Sequence, residues 1–146
     1  MLDSVKLAEL FPHARFHAHW HLVTWHPLGV LTEQRADRMV ELLEAQEPIA
    51  GQPFNRFTDM SGFTRIQMGL DHVVRLARRR QQAYRGPPVK SGFYAERVIS
   101  LTIARMYEEL MQGSRIEVRT FRDRAAAAKW LGVPTAILQP PKTGPK

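Results

Sequence analysis

Residues 87–121, PPVKSGFYAERVISLTIARMYEELMQGSRIEVRTF, decide the fold. After Gly86, the pair Pro87-Pro88 stops any preceding helix. The run 89–95 then reads as a strand. It alternates poorly, with Val89, Phe93, Tyr94 and Ala95 all apolar, which suits a strand buried on both faces. Residues 98–112 carry Ile99, Ile103, Met106, Tyr107 and Leu110 at helical spacing, and Gly113 provides the stop. From Arg115 to Phe121 the period changes to two. Ile116, Val118 and Thr120 oppose Arg115, Glu117 and Arg119, which predicts an edge strand with one wet face. Strand, helix and strand joined by short loops form a βαβ unit with parallel strands.

The same grammar extends outward. Thr32 is an N-cap for a helix running to about Gln46, with Ala36, Met39, Val40 and Leu43 as its buried stripe. A loop with Pro48, Gly51 and Pro53 leads into a strand over 54–59, closed by Asp59-Met60-Ser61-Gly62. A second helix is predicted over 65–82, its core stripe formed by Ile66, Leu70, Val73, Val74 and Ala77. Asp123 caps a fourth, alanine-rich helix over 125–131, ended by Gly132 and Pro134. Upstream, Phe16, Ala18, Trp20 and Leu22 alternate with His17, His19, His21 and Val23, predicting one long strand before the turn at Pro27 and Gly29. The first ten residues have weak helical character, and the Pro-rich end has no periodicity beyond a short apolar Ala136-Ile137-Leu138. The expected organisation is an N-terminal segment (1–14), one α/β domain (15–132) and a C-terminal tail (133–146).

The chain's 146 residues are 44% hydrophobic and 24% charged, ordinary for one globular domain. With no cysteine, disulfides, thiolate chemistry and cysteine-ligated metals are excluded. No apolar run approaches the roughly 20 residues of a membrane span. The opening MLDSVKLAELFPH does not have the pattern of a secretory signal, so a cytoplasmic domain is the expectation. Twenty-one Lys and Arg against 14 acids give a net charge of +7, which attracts anionic partners without naming one.

Several segments occur in an order that resembles a known family. They are Gly29-Val30-Leu31-Thr32 opening the first helix, Asp59-Met60-Ser61-Gly62 closing a strand, and Lys90-Ser91-Gly92-Phe93-Tyr94-Ala95. Ala104-Arg105-Met106-Tyr107-Glu108 follows, then Phe121-Arg122-Asp123 leading to Ala128-Lys129-Trp130-Leu131. Over about residues 20–132 the chain resembles the SpoIIAA-like proteins, small relatives of the STAS domain (sulfate transporter and anti-sigma factor antagonist). The resemblance implies a sheet of four or five mostly parallel strands with four helices, and a non-catalytic interaction module. In anti-sigma factor antagonists a serine at the start of the second helix is phosphorylated. Here Gln67-Met68-Gly69 stands where the family's Asp-Ser-Ser-Gly would fall, so that acceptor is missing.

Four sets of residues carry the functional expectations. Asp59, Ser61, Arg65, Gln67, Met68 and Gly69, at the second strand–helix junction, are the candidate partner or ligand surface, since open α/β sheets bind at the carboxyl ends of their strands. Arg75, Arg78, Arg79 and Arg85, with Tyr84 to stack beside them, form an acid-free basic run. That run supports an alternative reading, phosphate contact with nucleic acid, although no helix-turn-helix, RNA-recognition or KH signature accompanies it. His17, His19 and His21 would share a strand face at chelating distance, but with no acidic or thiol partner beside them no metal is assigned. The histidine-bearing strand and the Ile137-Leu138 tail are the expected means of self-association, the tail by adding to a sheet edge. No nucleophile elbow, phosphate-binding Gly-rich loop or His-Glu-x-x-His motif is present, and no enzyme and no cofactor are expected. The expected function is binding of a protein partner, with nucleic acid or a small ligand in the crevice as alternatives.

Overall fold

The structure, a computed structural model, describes Leu7 and residues 11–141. Among them are seven strands: β1 (Ala14–His17), β2 (Leu22–Trp25), β3 (Gly29–Thr32), β4 (Asn55–Asp59), β5 (Phe63–Gln67), β6 (Val89–Tyr94) and β7 (Ile116–Phe121). Four α-helices join them: α1 (Glu33–Gln46), α2 (Leu70–Ala83), α3 (Val98–Leu110) and α4 (Arg124–Leu131). The main sheet has the order β1-β2-β4-β6-β7; β1 is antiparallel and the other neighbours pair in parallel. A second, two-stranded parallel ribbon joins β3 to β5. Five mostly parallel strands and four helices are the architecture that the SpoIIAA-like resemblance implied.

Period-two alternation sorts the core into layers. On β4, Arg56 and Thr58 face the side covered by α1, α2 and α3, where Val23, Trp25, Val40, Phe63, Leu76 and Ala104 pack. Phe57 faces the other side and meets Leu22, Tyr94, Ala128 and Leu131 beneath α4. Half of helix α4 is alanine, whose small side chains let it approach the sheet closely. A Cβ on Gly92 would sit 3.5 Å from the Trp130 ring. Caps act as the sequence predicts: Thr32 Oγ1 accepts from Arg35 N (3.1 Å) and Asp123 Oδ1 from Ala125 N (3.0 Å).

Four expectations are corrected. The predicted long N-terminal strand is a hairpin. It reverses through a 3-10 turn at Ala18–Trp20, with His21 in the left-handed region at φ 46°. Each arm keeps period two, so simple alternation does not reveal the turn. The second helix starts at Leu70 rather than near Arg65, because Phe63–Gln67 extends and pairs with β3. Ile66 and Leu70, four apart, imitate the start of a helical stripe, but Ile66 belongs to the strand and Leu70 is exposed at the start of α2. Ile99 faces solvent; Leu101, Ile103 and Ala104 take the buried side of α3. Finally, the segment read as a tail folds back as a 3-10 turn at Thr135–Leu138, burying Leu138 completely against Leu22 and Phe57. The ordered unit therefore reaches past residue 132. The helical character read for the first ten residues lies, apart from Leu7, outside the described residues.

Side chains also occupy free edge groups of the strands. Arg35 Nη1 donates to the carbonyls of Leu28 (2.8 Å) and Val30 (2.6 Å), and Arg97 Nη1 to that of Thr64 (3.1 Å). On β7, Ile116 N donates to Ser114 Oγ (2.9 Å) and Thr120 N to Glu108 Oε1 (2.7 Å). Such blocking works against strand addition, and with Leu138 buried, Ile137-Leu138 is not free to extend along an edge.

Gly62 has a specific steric duty. A Cβ there would run into the Pro27 carbonyl and lie 2.8 Å from Leu28 Cδ2. Gly62→Ala is therefore expected to cost about 1–3 kcal/mol through overpacking, read as a lowered urea midpoint. An unchanged midpoint would mean that the β2–β3 and β4–β5 loops do not touch in solution.

Candidate functional site at the carboxyl ends of the strands

Strand β4 ends in Asp59, which is 1% exposed and points to the α4 side of the sheet. One carboxylate oxygen, Oδ1, caps the following Met60–Gly62 turn by accepting from Ser61 N (2.9 Å) and Ser61 Oγ (2.6 Å). The other, Oδ2, accepts from His26 Nδ1 (3.1 Å) and from Arg124 Nη2 (2.8 Å) and Nε (3.3 Å). Arg124 also donates to Ser61 Oγ (3.2 Å) and lies over the Tyr94 ring at 4.2 Å. Tyr94 in turn donates to Glu96 Oε2 (2.7 Å). Burial alone would raise the Asp59 pKa. Hydrogen bonds from His26, Ser61 and Arg124 outweigh it and bring the group down to about 2. The Tyr94 hydroxyl is pushed up, first by burial and then by its bond to Glu96.

This constellation holds a serine, a histidine and an aspartate, but in the wrong order for nucleophilic catalysis. The serine proton is directed at Asp59, and His26 turns its Nδ1 to Asp59 as well. A carboxylate with a pKa of about 2 is a very weak base at neutral pH. One carboxylate ties together the β2–β3 loop through His26, the β4–β5 turn through Ser61 and the start of α4 through Arg124.

Of the residues predicted at this junction, Asp59 and Ser61 meet here, while the rest lie on β5 and the link from it to α2. Arg65 and Gln67 are exposed on β5, Met68 packs into the core, and Gly69 N donates to Glu33 Oε2 (3.1 Å). Sequence reasoning missed His26 and Arg124, which stand 33 and 65 residues from Asp59 and are brought to it only by the sheet.

The basic run is less cationic than its sequence. Acids on α1 face it: Arg79 forks onto Glu44 (2.7 and 3.0 Å), and Arg80, 2% exposed, pairs with Glu47 and with Glu44 at 3.6 Å. Arg75 reaches Asp71 at 3.7 Å, and Tyr84 is buried rather than available for stacking; Arg78 and Arg85 are exposed. The three histidines do not share a face. His17 Nε2 meets Thr24 Oγ1 (2.8 Å), His19 packs edge-on against Trp20 and His21 makes the turn. Among the described residues no group of three histidines and carboxylates is placed to hold a metal ion.

No family model matches the sequence, and no curated protein is similar to it. Among solved structures, the chain is similar to an uncharacterized protein of the DUF3478 family from Shewanella loihica PV-4, described as having a SpoIIAA-like fold. The identity is 16%, over 75% of this chain and 83% of that one, with a TM-score of 0.48. The similarity is one of fold alone. No helix among the described residues is long and apolar enough to cross a membrane.

Proposed function

We propose that this chain is a non-catalytic binding module that docks a protein partner on the face above the Asp59 cluster. The observation that carries this reading is a set of exposed apolar side chains on the loops there and the start of α3. Leu28 is 57% exposed, Val98 81% and Ile99 52%. These side chains stand on neighbouring segments. Leu28 abuts Gly62, Thr64 follows two residues later, and Arg97, which holds the Thr64 carbonyl, precedes Val98 and Ile99. In the same segments exposed Arg65, Arg97 and Arg122 outnumber exposed Glu96 and Asp123, so the matching surface is apolar with acidic edges. Bracing by Asp59 supports the same reading, because loops fixed before docking lose less entropy on docking.

The test is a photo-crosslinking residue at Ile99, with one at Arg78 as the control, in cells that make the protein. One dominant protein product at position 99, lost on Leu28→Asp, is the expected result. Position 99 behaving like position 78 would sink the proposal, and a product of two 16.8 kDa chains would make the occupant a second copy. Val98→Asp with Ile99→Asp should abolish docking without unfolding, since acids in the first turn of α3 suit the helix dipole.

A further inference from the structure

A second feature lies away from that face and is independent of it. Between the sheet and helices α1–α3 is a cavity of about 120 Å³, walled by Met39, Met60, Met68, Phe63 and Phe93 and floored by Arg56 on β4. A wider cavity of about 670 Å³ opens beneath the loop joining α1 to β4, lined by Pro48, Phe54 and Tyr84. Arg56 is the one residue that lines both.

Arg56 is 3% exposed and only partly satisfied. Its Nη1 donates to Glu47 Oε2 at 2.8 Å, whereas Nε and Nη2 are buried without an acceptor. In a guanidinium, Nε–H and Nη2–H point the same way. They form the side-on fork that takes both oxygens of one carboxylate. The guanidinium carbon lies over the Phe54 ring at 4.5 Å, with the Tyr84 ring at 5.8 Å. The charge balance also favours an anion: Glu47 is shared by Arg56 and Arg80, and Glu44 by Arg79 and Arg80. Arg79 is partly exposed and has Glu41 and Asp37 nearby as well, so the shortfall lies at Arg56, which has only a carboxylate shared with Arg80. The inner cavity, about 120 Å³, is smaller than the apolar cavity of about 150 Å³ that accepts benzene, so a single ring or a short branched chain is the upper limit of what it takes.

We propose that Arg56 is the headgroup-binding residue of a site for a small aromatic or branched aliphatic carboxylate. The carboxylate sits on the Nε–Nη2 edge, the apolar body among the methionines, and entry is past the loop between α1 and β4.

The probes are benzoate and its neutral isostere benzamide, titrated into the full chain and followed by heteronuclear NMR and by thermal melting. Benzoate should saturate and raise the melting temperature, with benzamide weaker by about tenfold or more. Arg56→Gln should abolish the preference for benzoate. Ala104→Leu, which fills the inner cavity from α3, should remove both while leaving Arg56 intact. Equal binding of the two probes, benzoate binding that survives either substitution, or no binding of benzoate would each overturn the proposal. None of these results bears on Ile99 crosslinking, so the two sites stand or fall separately.

Discussion

Glu47→Ala is expected to be among the most damaging substitutions in the chain, lowering stability by about 3–5 kcal/mol. Glu47 is itself nearly buried, and it accepts from Arg56 Nη1 (2.8 Å) and Arg80 Nη2. Both arginines are at most 3% exposed. Removing the carboxylate leaves two cations in the interior, with Glu44 still 3.6 Å from Arg80 as partial relief and nothing comparable at Arg56. The cost comes mainly from these stranded charges rather than from the lost bonds, which gives the prediction a signature. In a Glu47→Ala background, Arg56→Met should restore part of the stability, because it removes a cation that no longer has a partner. Urea denaturation of the two single variants and the double variant measures this directly. A loss below about 1 kcal/mol for Glu47→Ala would place the cluster in solvent, where ion pairs contribute little.

The same cluster shows what the sequence made legible. Features set by neighbouring residues were readable: the Thr32 and Asp123 caps, the stops at Gly113 and Gly132, and the strand–helix–strand pattern of 89–121. Features that require distant segments to meet were not. The basic run shows no acid of its own between Val73 and Lys90, yet Glu44 and Glu47 lie opposite it because α1 packs beside α2. The hairpin of β1 and β2 escaped for a different reason. Its turn uses neither glycine nor proline, and a histidine takes the left-handed conformation. For β5 a local cue was present but outweighed: Gly69 followed by Asp71 marks a helix start, and the helical spacing of Ile66 and Leu70 obscured it. At the candidate site, Asp59 and Ser61 were legible as near neighbours. His26 and Arg124, which give the carboxylate its properties, had no sequence connection to it.

Asp59 yields the second large effect, and its pH dependence separates bracing from simple packing. Asp59→Asn keeps an oxygen for Ser61 but removes the charge that holds Arg124 and His26, at an expected cost of about 3 kcal/mol near neutral pH. The wild-type carboxyl has a folded pKa of about 2 against an ordinary 3.8, so the folded state binds its proton more weakly than the unfolded chain does. Its contribution is therefore complete above about pH 5 and is lost as pH falls from about 4 to about 2. Asparagine has no such titration. The two stability curves should run parallel from about pH 5 to 7 and converge below about pH 4. Curves that stay parallel down to about pH 2 would mean that Asp59 is not held ionised by its three partners. Since Asp59 fixes the loop carrying Leu28 and the turn carrying Gly62, Asp59→Asn should also weaken crosslinking at Ile99 while leaving benzoate binding at Arg56, on the opposite face of the sheet, unchanged.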